Sequence, residues 1–296
     1  MKTRFIPVLL LLAACAKEKT PEEINTPTPL ITKTYTYSES ENSNVRDLYI
    51  IDSLEYNTNK QLSKLYSYWR NTDTLEYTFP YNGNGEITEM HIRNEKNTSS
   101  NSDYFFYYNK DNRLDSIVQK EALEQFYSLL KYDSKNKISS VLTYQTFPGD
   151  LTLISTNDYY RNTQLDSVVS KNLYPTVLST MRYVYDTAPA DARPLLNFDR
   201  SYILALAHRT NFKTLFATSS YANHFTNQFV NPQDLAIRNG TADYRVTAPA
   251  APFNTKEDVL NKFELNTAGD VGSYRISYFN GMYHNYTYMT FEYMIR

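Results

Sequence analysis

Phe106-Tyr107-Tyr108-Asn109-Lys110-Asp111-Asn112-Arg113-Leu114 is the stretch of sequence that decides the fold. An aromatic residue, any residue and then Tyr follow the two-residue period of a strand with one buried face. The Asn and the polar residues after it tolerate positive φ and favour a turn, and Leu114 then begins the next strand. The stretch therefore predicts the turn of a β-hairpin together with its two flanking strands.

The same frame returns along the chain as an internal repeat. Further copies occupy residues 54–62, 79–87 and 130–138, a shorter one runs over 160–165, and 263–271 carries Leu in place of Tyr. Copies lie 24 to 28 residues apart, which leaves room for two strands per repeat. The sequence therefore predicts an all-β fold, a large curved antiparallel meander of about twelve or more strands built from hairpin repeats. The repeat leaves open whether this sheet closes into a barrel.

The first residues have the features of a bacterial secretion signal. Lys2 and Arg4 precede an apolar run over residues 6–14, which is too short to cross a bilayer of about 30 Å as a helix. The run ends in Leu-Ala-Ala-Cys at 12–15 and resembles a lipobox, in which the Cys is acylated and becomes the mature N-terminus. A plain signal peptide with a chance Cys, or an uncleaved anchor, are the alternatives.

These features divide the chain. We expect a signal peptide at 1–14, a lipidated N-terminus and flexible tether at 15–34, and a single β-repeat domain at 35–296. Cys15 is the one Cys in the sequence, so its lipidation would leave no thiol for disulfides, metal sites or nucleophilic catalysis. Without Lys2 and Arg4, 28 basic side chains face 32 acidic ones. No basic block stands out, so we expect no nucleic-acid partner.

The repeat unit of Tyr, Asn or Asp, a polar turn and Leu or Ile resembles the tyrosine–aspartate repeats of Rhs-type proteins. Together with the lipobox, it resembles a Bacteroidota family of lipoproteins of unknown function with a porin-like β fold. The resemblance covers roughly residues 45–187 and 260–296. It implies a fold and an outer-membrane-anchored lipoprotein, on the periplasmic face or the cell surface, and it implies no activity.

Residues 188–259 depart from the repeat. Asp199 is placed to cap a short helix from Arg200 to His208. Thr255 and Asp258 form a weak capping-box pattern before a second apolar pair. We interpret the region as an irregular, partly helical insertion that covers one face or the mouth of the curved sheet. A separate domain is less favoured, because few aliphatic residues are available for a core.

No catalytic motif is recognisable, and we expect no enzyme activity, metal or cofactor. The four His residues do not pair at metal-ligand spacing, and each is more typical of a surface or sheet-face side chain; they are His91, His208, His224 and His284. A carbohydrate-active enzyme stays open as an alternative. The carboxylate pair of a glycosidase comes together only in three dimensions, for example under the insertion.

Aromatic residues are the unusual resource of this sequence, which has 28 Tyr, 15 Phe and one Trp. Most are expected to stabilise the sheet through cross-strand pairs. The candidates for stacking on a sugar are Trp69, Tyr283, Tyr286 and Tyr288. The leading hypothesis is a lipid-anchored binding or scaffolding protein of the cell envelope, with a glycan or an envelope protein as partner and the lipid as its only membrane contact. A structural or adhesin-like component is the other alternative.

A second pattern concerns modification. Asp followed by Ser or Thr and then a small or aliphatic residue resembles the O-glycosylation sequon of exported Bacteroidota proteins. The repeat itself can produce such matches, because Ser116 and Ser167 occupy equivalent strand positions. The candidate acceptors are Thr74, Thr187 and Ser53.

The lipid anchor can be tested with one substitution. Cys15→Ala should abolish acylation, because the chain has no other thiol to carry the lipid. Incorporation of a labelled fatty acid and partition into a detergent phase measure the effect. Labelling of the variant at the level of the native chain would contradict the lipoprotein interpretation.

Overall fold

A computed structural model describes residues 29–40, 45–70, 74–121, 124–147, 150–162, 165–173, 176–185, 199–210, 215–216, 229–230, 240–247, 255–267, 271–279 and 284–294. Over these ranges the chain forms sixteen strands, which pair antiparallel in chain order and close into a barrel. The expected all-β antiparallel meander is confirmed, and the open question of closure is answered.

The strands are β1 Leu30–Ser40, β2 Arg46–Tyr56, β3 Leu62–Trp69, β4 Thr74–Thr78, β5 Glu89–Asn94, β6 Ser102–Tyr108, β7 Leu114–Glu121, β8 Gln125–Tyr132, β9 Ile138–Phe147, β10 Asp150–Arg161, β11 Leu165–Leu173, β12 Thr176–Tyr185, β13 Gly240–Thr247, β14 Thr255–Leu265, β15 Val271–Phe279 and β16 His284–Met294. An α-helix, α1, spans Arg200–Thr210, and a 3-10 helix covers Thr98–Ser100. None of the helices in the described ranges is long and apolar enough to cross a membrane.

Closure occurs where the first strand meets the last. β1 pairs with β2 on one side and with β16 on the other, so that Leu30 lies opposite Met294 and Ser40 lies opposite Asn285. A closed sheet has no edge strand whose backbone groups lack partners. The barrel therefore needs the N-terminal and C-terminal strands together.

The repeat turns share one geometry. The Asn109 N–H donates to the Arg113 carbonyl and the Asn112 N–H donates to the Asn109 carbonyl, at 2.8 and 2.9 Å. The Asn109 side-chain oxygen accepts the N–H groups of Asp111 and Arg113, and Asn112 has a φ of 58°. The turns that begin at Asn57, Asn82 and Asp133 repeat these bonds. Four of the five predicted turns are confirmed, and the fifth lies partly outside the described residues.

In four of the repeats, the Tyr binds a carbonyl of the preceding hairpin. The Tyr108 hydroxyl donates to the Ile87 carbonyl at 2.9 Å. Equivalent bonds run from Tyr56 to Ile31, from Tyr81 to Leu62 and from Tyr132 to Leu114. Burial raises the pKa of Tyr108 to about 12, so the phenol keeps its proton and remains a donor. The repeat therefore needs Tyr rather than Phe, because the hydroxyl joins successive hairpins at this end of the barrel.

The apolar residues that follow the repeat turns point into the core. Leu62, Ile87, Leu114 and Ile138 are buried, and Tyr56, Tyr81, Tyr108 and Tyr132 are half-buried against them. Because side chains alternate along a strand, the inner face continues through further apolar and polar positions. On β2 these positions are Ile50, Asp52 and Leu54, all buried.

Two boundaries differ from those expected. β1 begins at Leu30, inside the tether predicted at 15–34, because Ile31 is buried and its carbonyl accepts the Tyr56 hydroxyl. The insertion predicted as irregular at 188–259 contains β13 and the start of β14. Thr255 therefore begins a strand and not a helix, because β13 and β14 join β12 to β15 in the closed sheet.

The predicted helix is present and packs on one face of the curved sheet, the inner one. Ser201, Tyr202 and residues 204–209 of α1 are buried, so all sides of the helix are covered. Its partners come from the inner face of the barrel: Tyr202 binds Thr34 of β1 at 2.7 Å and Ser201 binds Tyr81 at 2.6 Å. α1 therefore lies inside the barrel.

The Tyr ladder generates a matched pair of substitutions. Tyr108→Phe removes the donor for the Ile87 carbonyl and should lower the free energy of unfolding by about 1–2 kcal/mol. Tyr107→Phe changes a neighbouring hydroxyl on an exposed side chain, and its effect should stay within about 0.5 kcal/mol. Urea unfolding measures both. Equal effects would mean that the ladder does not stabilise the barrel.

Candidate functional site

α1 is fixed at its first residues by Asp199. One carboxylate oxygen of Asp199 accepts the Ser201 N–H at 2.8 Å, and the Asp199 carbonyl accepts the Tyr202 N–H at 2.9 Å. The other carboxylate oxygen accepts the Leu62 N–H of β3 at 2.7 Å. The residue that caps the helix, as expected from the sequence, thus also binds the helix to the barrel wall near the repeat turns.

Near its other end, α1 is held by a buried ion pair. Arg209 Nη2 lies 2.8 Å from Asp52 Oδ1, and the two side chains are 5% and 0% exposed. The Asp52 carboxylate also accepts hydrogen bonds from Thr34, Ser67 and Tyr202, at 2.7 to 2.9 Å. Removing one partner of a buried ion pair typically costs about 3–5 kcal/mol, because the other charge is left unpaired. Asp52 therefore holds the helix in one rotational position.

His208 precedes Arg209 and is also buried. Its Nδ1 lies 3.2 Å from the Tyr77 hydroxyl, and its ring meets the rings of Tyr77 and Tyr104 edge to face, at 5.7 and 5.9 Å. Burial, and then the charge of Arg209, lower the pKa of His208 to about 3. The imidazole is therefore neutral at physiological pH.

A cavity of about 440 Å³ lies beyond this end of the helix, with His208 among its walls. It is at the end of the barrel opposite the repeat turns, since Trp69 ends β3, Ser102 begins β6 and Glu121 ends β7. Its volume falls within the range of roughly 300–1,000 Å³ that is usual for small-molecule sites.

One wall is the connection between β5 and β6, which its own side chains hold in shape. The Asn94 side-chain oxygen accepts the N–H groups of Lys96 and Asn97. Ser99 and Ser100 donate to Asn97, at 2.6 and 2.7 Å. Short Asn and Ser side chains favour such local bonds over regular secondary structure. The cavity is therefore bordered by amide and hydroxyl groups at fixed positions.

Another part of the lining is aromatic. Tyr49 and Trp69 meet edge to face with 5.2 Å between ring centroids, and Leu75 lies beside them. Glu121 completes the lining and accepts a hydrogen bond from Gln119 at 2.7 Å. Among the lining residues that the structure describes, Glu121 is the only carboxylate, whereas the glycosidase alternative requires two.

The structure brings one of the four predicted aromatic residues to this cavity, namely Trp69. Tyr288 of β16 packs instead against Tyr37, and the Arg46 guanidinium lies 3.9 Å from its ring centre. Tyr283 and the side chain of Tyr286 lie outside the described residues. Ligand binding by any of these aromatic residues stays a prediction.

Sequence reasoning missed His208, which was expected on a surface and lies inside the barrel. It also missed Asp52, which was considered only as part of a sequon. The sequence did contain an indication of this role for Asp52. Residues two apart on a strand share a face, so Asp52 lies on the same buried face of β2 as Ile50 and Leu54. His91 is half-buried on β5 between Asp103 and Glu89, at 2.7 and 2.9 Å.

The sequon candidates fall in different places. Ser53 is half-buried on β2, and the Asp52 before it is enclosed in the ion pair with Arg209. A transferase could not reach that Asp in the folded barrel. Thr74 begins β4 and is half-buried, whereas Asp73 and Thr187, like the lipid site Cys15, lie outside the described residues. Modification at Thr74 or Thr187 stays a prediction.

No protein-family model matches the sequence, and no curated protein is similar to it. Among solved structures, the chain is similar to a porin-like protein from Bacteroides uniformis ATCC 8492. The similarity covers 90% of this chain and 98% of that one, with 13% sequence identity and a TM-score of 0.49. The lipoprotein family and the tyrosine–aspartate repeat class inferred from the motifs therefore stay predictions.

The buried imidazole predicts an acid-sensitive barrel. The unfolded chain binds a proton on His208 below about pH 6.5, whereas the folded protein does so only near the lowered pKa of about 3. Between these values the stability should fall by about 1.4 kcal/mol per pH unit as the pH decreases. Urea unfolding from pH 7 to pH 4 measures this slope. The difference between the native chain and His208→Gln isolates it from the carboxylates, and a pH-independent difference would contradict it.

Proposed function

We propose that this protein is a lipid-anchored binding protein of the bacterial cell envelope, and that it holds an uncharged sugar unit in the cavity beyond α1. The observation that carries the proposal is the composition of the cavity wall. Its lining combines the aromatic residues Tyr49 and Trp69 with the amide and hydroxyl residues Asn97, Ser99 and Ser100.

These two kinds of wall match the two kinds of surface on a sugar. The C–H face of a pyranose ring is apolar and packs on an aromatic ring, and its hydroxyls exchange hydrogen bonds with amides and alcohols. Lys and Arg are absent from the lining that the described residues form. This composition favours an uncharged ligand over a phosphate or a carboxylate.

The contents of the barrel support a binding role over an open channel. α1 and its partners occupy the interior, and the helix is bound to the wall through Asp199 at one end and Arg209 at the other. A solute passing along the axis would have to displace a buried ion pair. The occupied interior therefore supports a binding cavity that is closed at its inner end.

The charged pairs on the outer face support a barrel that is surrounded by water and not by lipid. Lys64 pairs with Glu76 across β3 and β4, and Arg93 pairs with Asp103 across β5 and β6. Charged pairs of this kind are unfavourable on a surface that faces lipid. The membrane would then be contacted through the predicted lipid on Cys15.

Scaffolding is a second candidate, favoured by the outer surface of β6–β10. Tyr127 and Tyr144 lie side by side there with ring centroids 6.4 Å apart. Three side chains are exposed on the outer face of strands in the same region, namely Tyr107, Leu151 and Tyr160. Clusters of exposed apolar side chains often mark sites of protein contact.

Substitution of Trp69 tests the sugar site. The purified protein should bind neutral sugars on a glycan array, and Trp69→Ala should weaken the binding by about tenfold or more, because the stacking surface is removed. Tyr68→Ala is the matched control, since Tyr68 is adjacent in sequence and exposed, and does not line the cavity. Titration calorimetry gives the affinities. Equal binding by the two variants, or no binding to any sugar at millimolar concentration, would contradict the proposal.

A further inference from the structure

The cavity has an exposed rim and a buried inner part. The rim is formed by side chains that remain open to solvent, namely Tyr49, Asn97, Ser99 and Ser100. The inner part is formed by buried residues, namely Leu75, Asn94, Ser102 and His208. A polar ligand group that passes the rim loses its contact with water, so it needs hydrogen-bond partners in the inner part.

Ser102 is the polar residue of the inner part whose side chain has no protein partner. The Asn94 side-chain oxygen accepts backbone N–H groups, and His208 contacts the Tyr77 hydroxyl. Ser102 is 4% exposed, and its carbonyl accepts a hydrogen bond from Arg93 at 3.2 Å. Its hydroxyl makes no hydrogen bond to any residue that the structure describes. Because a buried hydroxyl without a partner is unfavourable, this one is suited to a partner that enters the cavity.

The position of Ser102 on β6 distinguishes it from other buried hydroxyl groups. Ser102 begins β6, and its side chain shares the inner face of the strand with Tyr104 and Phe106. The hydroxyls of Tyr104 and Ser155 are also buried without a hydrogen-bond partner. Neither of those two residues lines the cavity, whereas Ser102 does. Ser102 therefore combines an unbonded hydroxyl with access to a ligand.

The charge beside Ser102 limits the kind of group that it can bind. Glu121 lies opposite Ser102 in the pairing of β6 with β7, and both residues line the cavity. The Glu121 carboxylate would repel a carboxylate or phosphate placed next to Ser102. A serine hydroxyl both donates and accepts hydrogen bonds, and so does the hydroxyl of a sugar. These neighbours therefore favour an uncharged hydroxyl as the ligand group.

We propose that Ser102 is a specificity-determining residue of the cavity, and that its hydroxyl hydrogen-bonds a hydroxyl of the terminal sugar of a glycan. The wall around the inner part is a closed sheet, and α1 occupies the interior beneath it. A sugar that enters past the rim has its linkage to the glycan directed back to the rim. A chain end has one such linkage, whereas a sugar inside a chain has two. This role rests on the proposed sugar site and names the end of a glycan as its ligand.

One substitution separates ligand binding from stability. Ser102→Ala removes a hydroxyl that has no partner in the free protein, so the variant should melt at the native temperature or above it. It should bind the sugar about threefold to tenfold more weakly, because one hydrogen bond to the ligand is lost.

Ser155→Ala is the matched control. Ser155 is 1% exposed and its hydroxyl also lacks a partner, but it does not line the cavity. This variant should bind the sugar as the native protein does.

Binding is measured by titration calorimetry with glucose, galactose, mannose and N-acetylglucosamine, and the tightest of these serves as the probe. Thermal unfolding is recorded on the same samples. A glycan array then compares glycans that carry the probe sugar at a chain end with glycans that carry it only at interior positions. Binding is expected for the first group alone.

The outcomes separate this role from the proposed function. A sugar that binds Ser102→Ala and Ser155→Ala equally well would overturn the role of Ser102 and leave the sugar site standing. A lowered melting temperature of Ser102→Ala would also overturn it, because the hydroxyl would then stabilise the free protein. Equal binding of interior and terminal sugars would overturn the recognition of a chain end. The absence of binding to all four sugars would contradict the proposed function, and the role of Ser102 would fall with it.

Discussion

Inside the barrel, the Asp52 carboxylate and the Arg209 guanidinium neutralise each other at a place that water does not reach. The carboxylate has three further donors around it, from β1, from β3 and from α1 itself. A buried charge with this number of partners tolerates one arrangement, because any other leaves the charge unpaired. The position of the helix follows from this pair, and the inner end of the cavity follows from the position of the helix.

The two ends of the barrel have different physical organisation. At the repeat end, turns of one geometry and tyrosine hydroxyls that reach the next hairpin produce a regular rim. At the cavity end, the β5–β6 connection is irregular and is shaped by the side chains of Asn94 and Asn97. Regular structure therefore lies where the sheet must be held in register, and irregular structure lies where a ligand would be recognised.

Local features were predictable from the sequence, and contacts between distant residues were not. The turns at Asn57 and Asn109 and the cap at Asp199 depend on residues that are close in sequence. Their patterns could therefore be recognised from the sequence. Closure joins Leu30 to Met294, and no local pattern encodes a pairing across the whole chain. Strand β13 and the start of β14 were missed because residues 188–259 do not follow the repeat.

The candidate site was harder to foresee for the same reason. Trp69 was recognised by its residue type alone. The ion pair joins residues 52 and 209, and the cavity draws on residues from 49 to 208. His208 was expected as a surface or sheet-face side chain, and it is buried because the barrel interior supplies polar partners such as Tyr77.

The attachment of α1 at both ends makes its length a fixed dimension of the molecule. Asp199 is bound to β3 and Arg209 to β2, ten residues apart in sequence. One added residue would move Arg209 by about 1.5 Å along the axis and turn it by about 100°. A chain that keeps both attachments must therefore keep the ten-residue interval. An acidic cap followed at that interval by Arg, with an Asp on an inward strand position, would identify such an internal helix in sequences whose repeats have diverged.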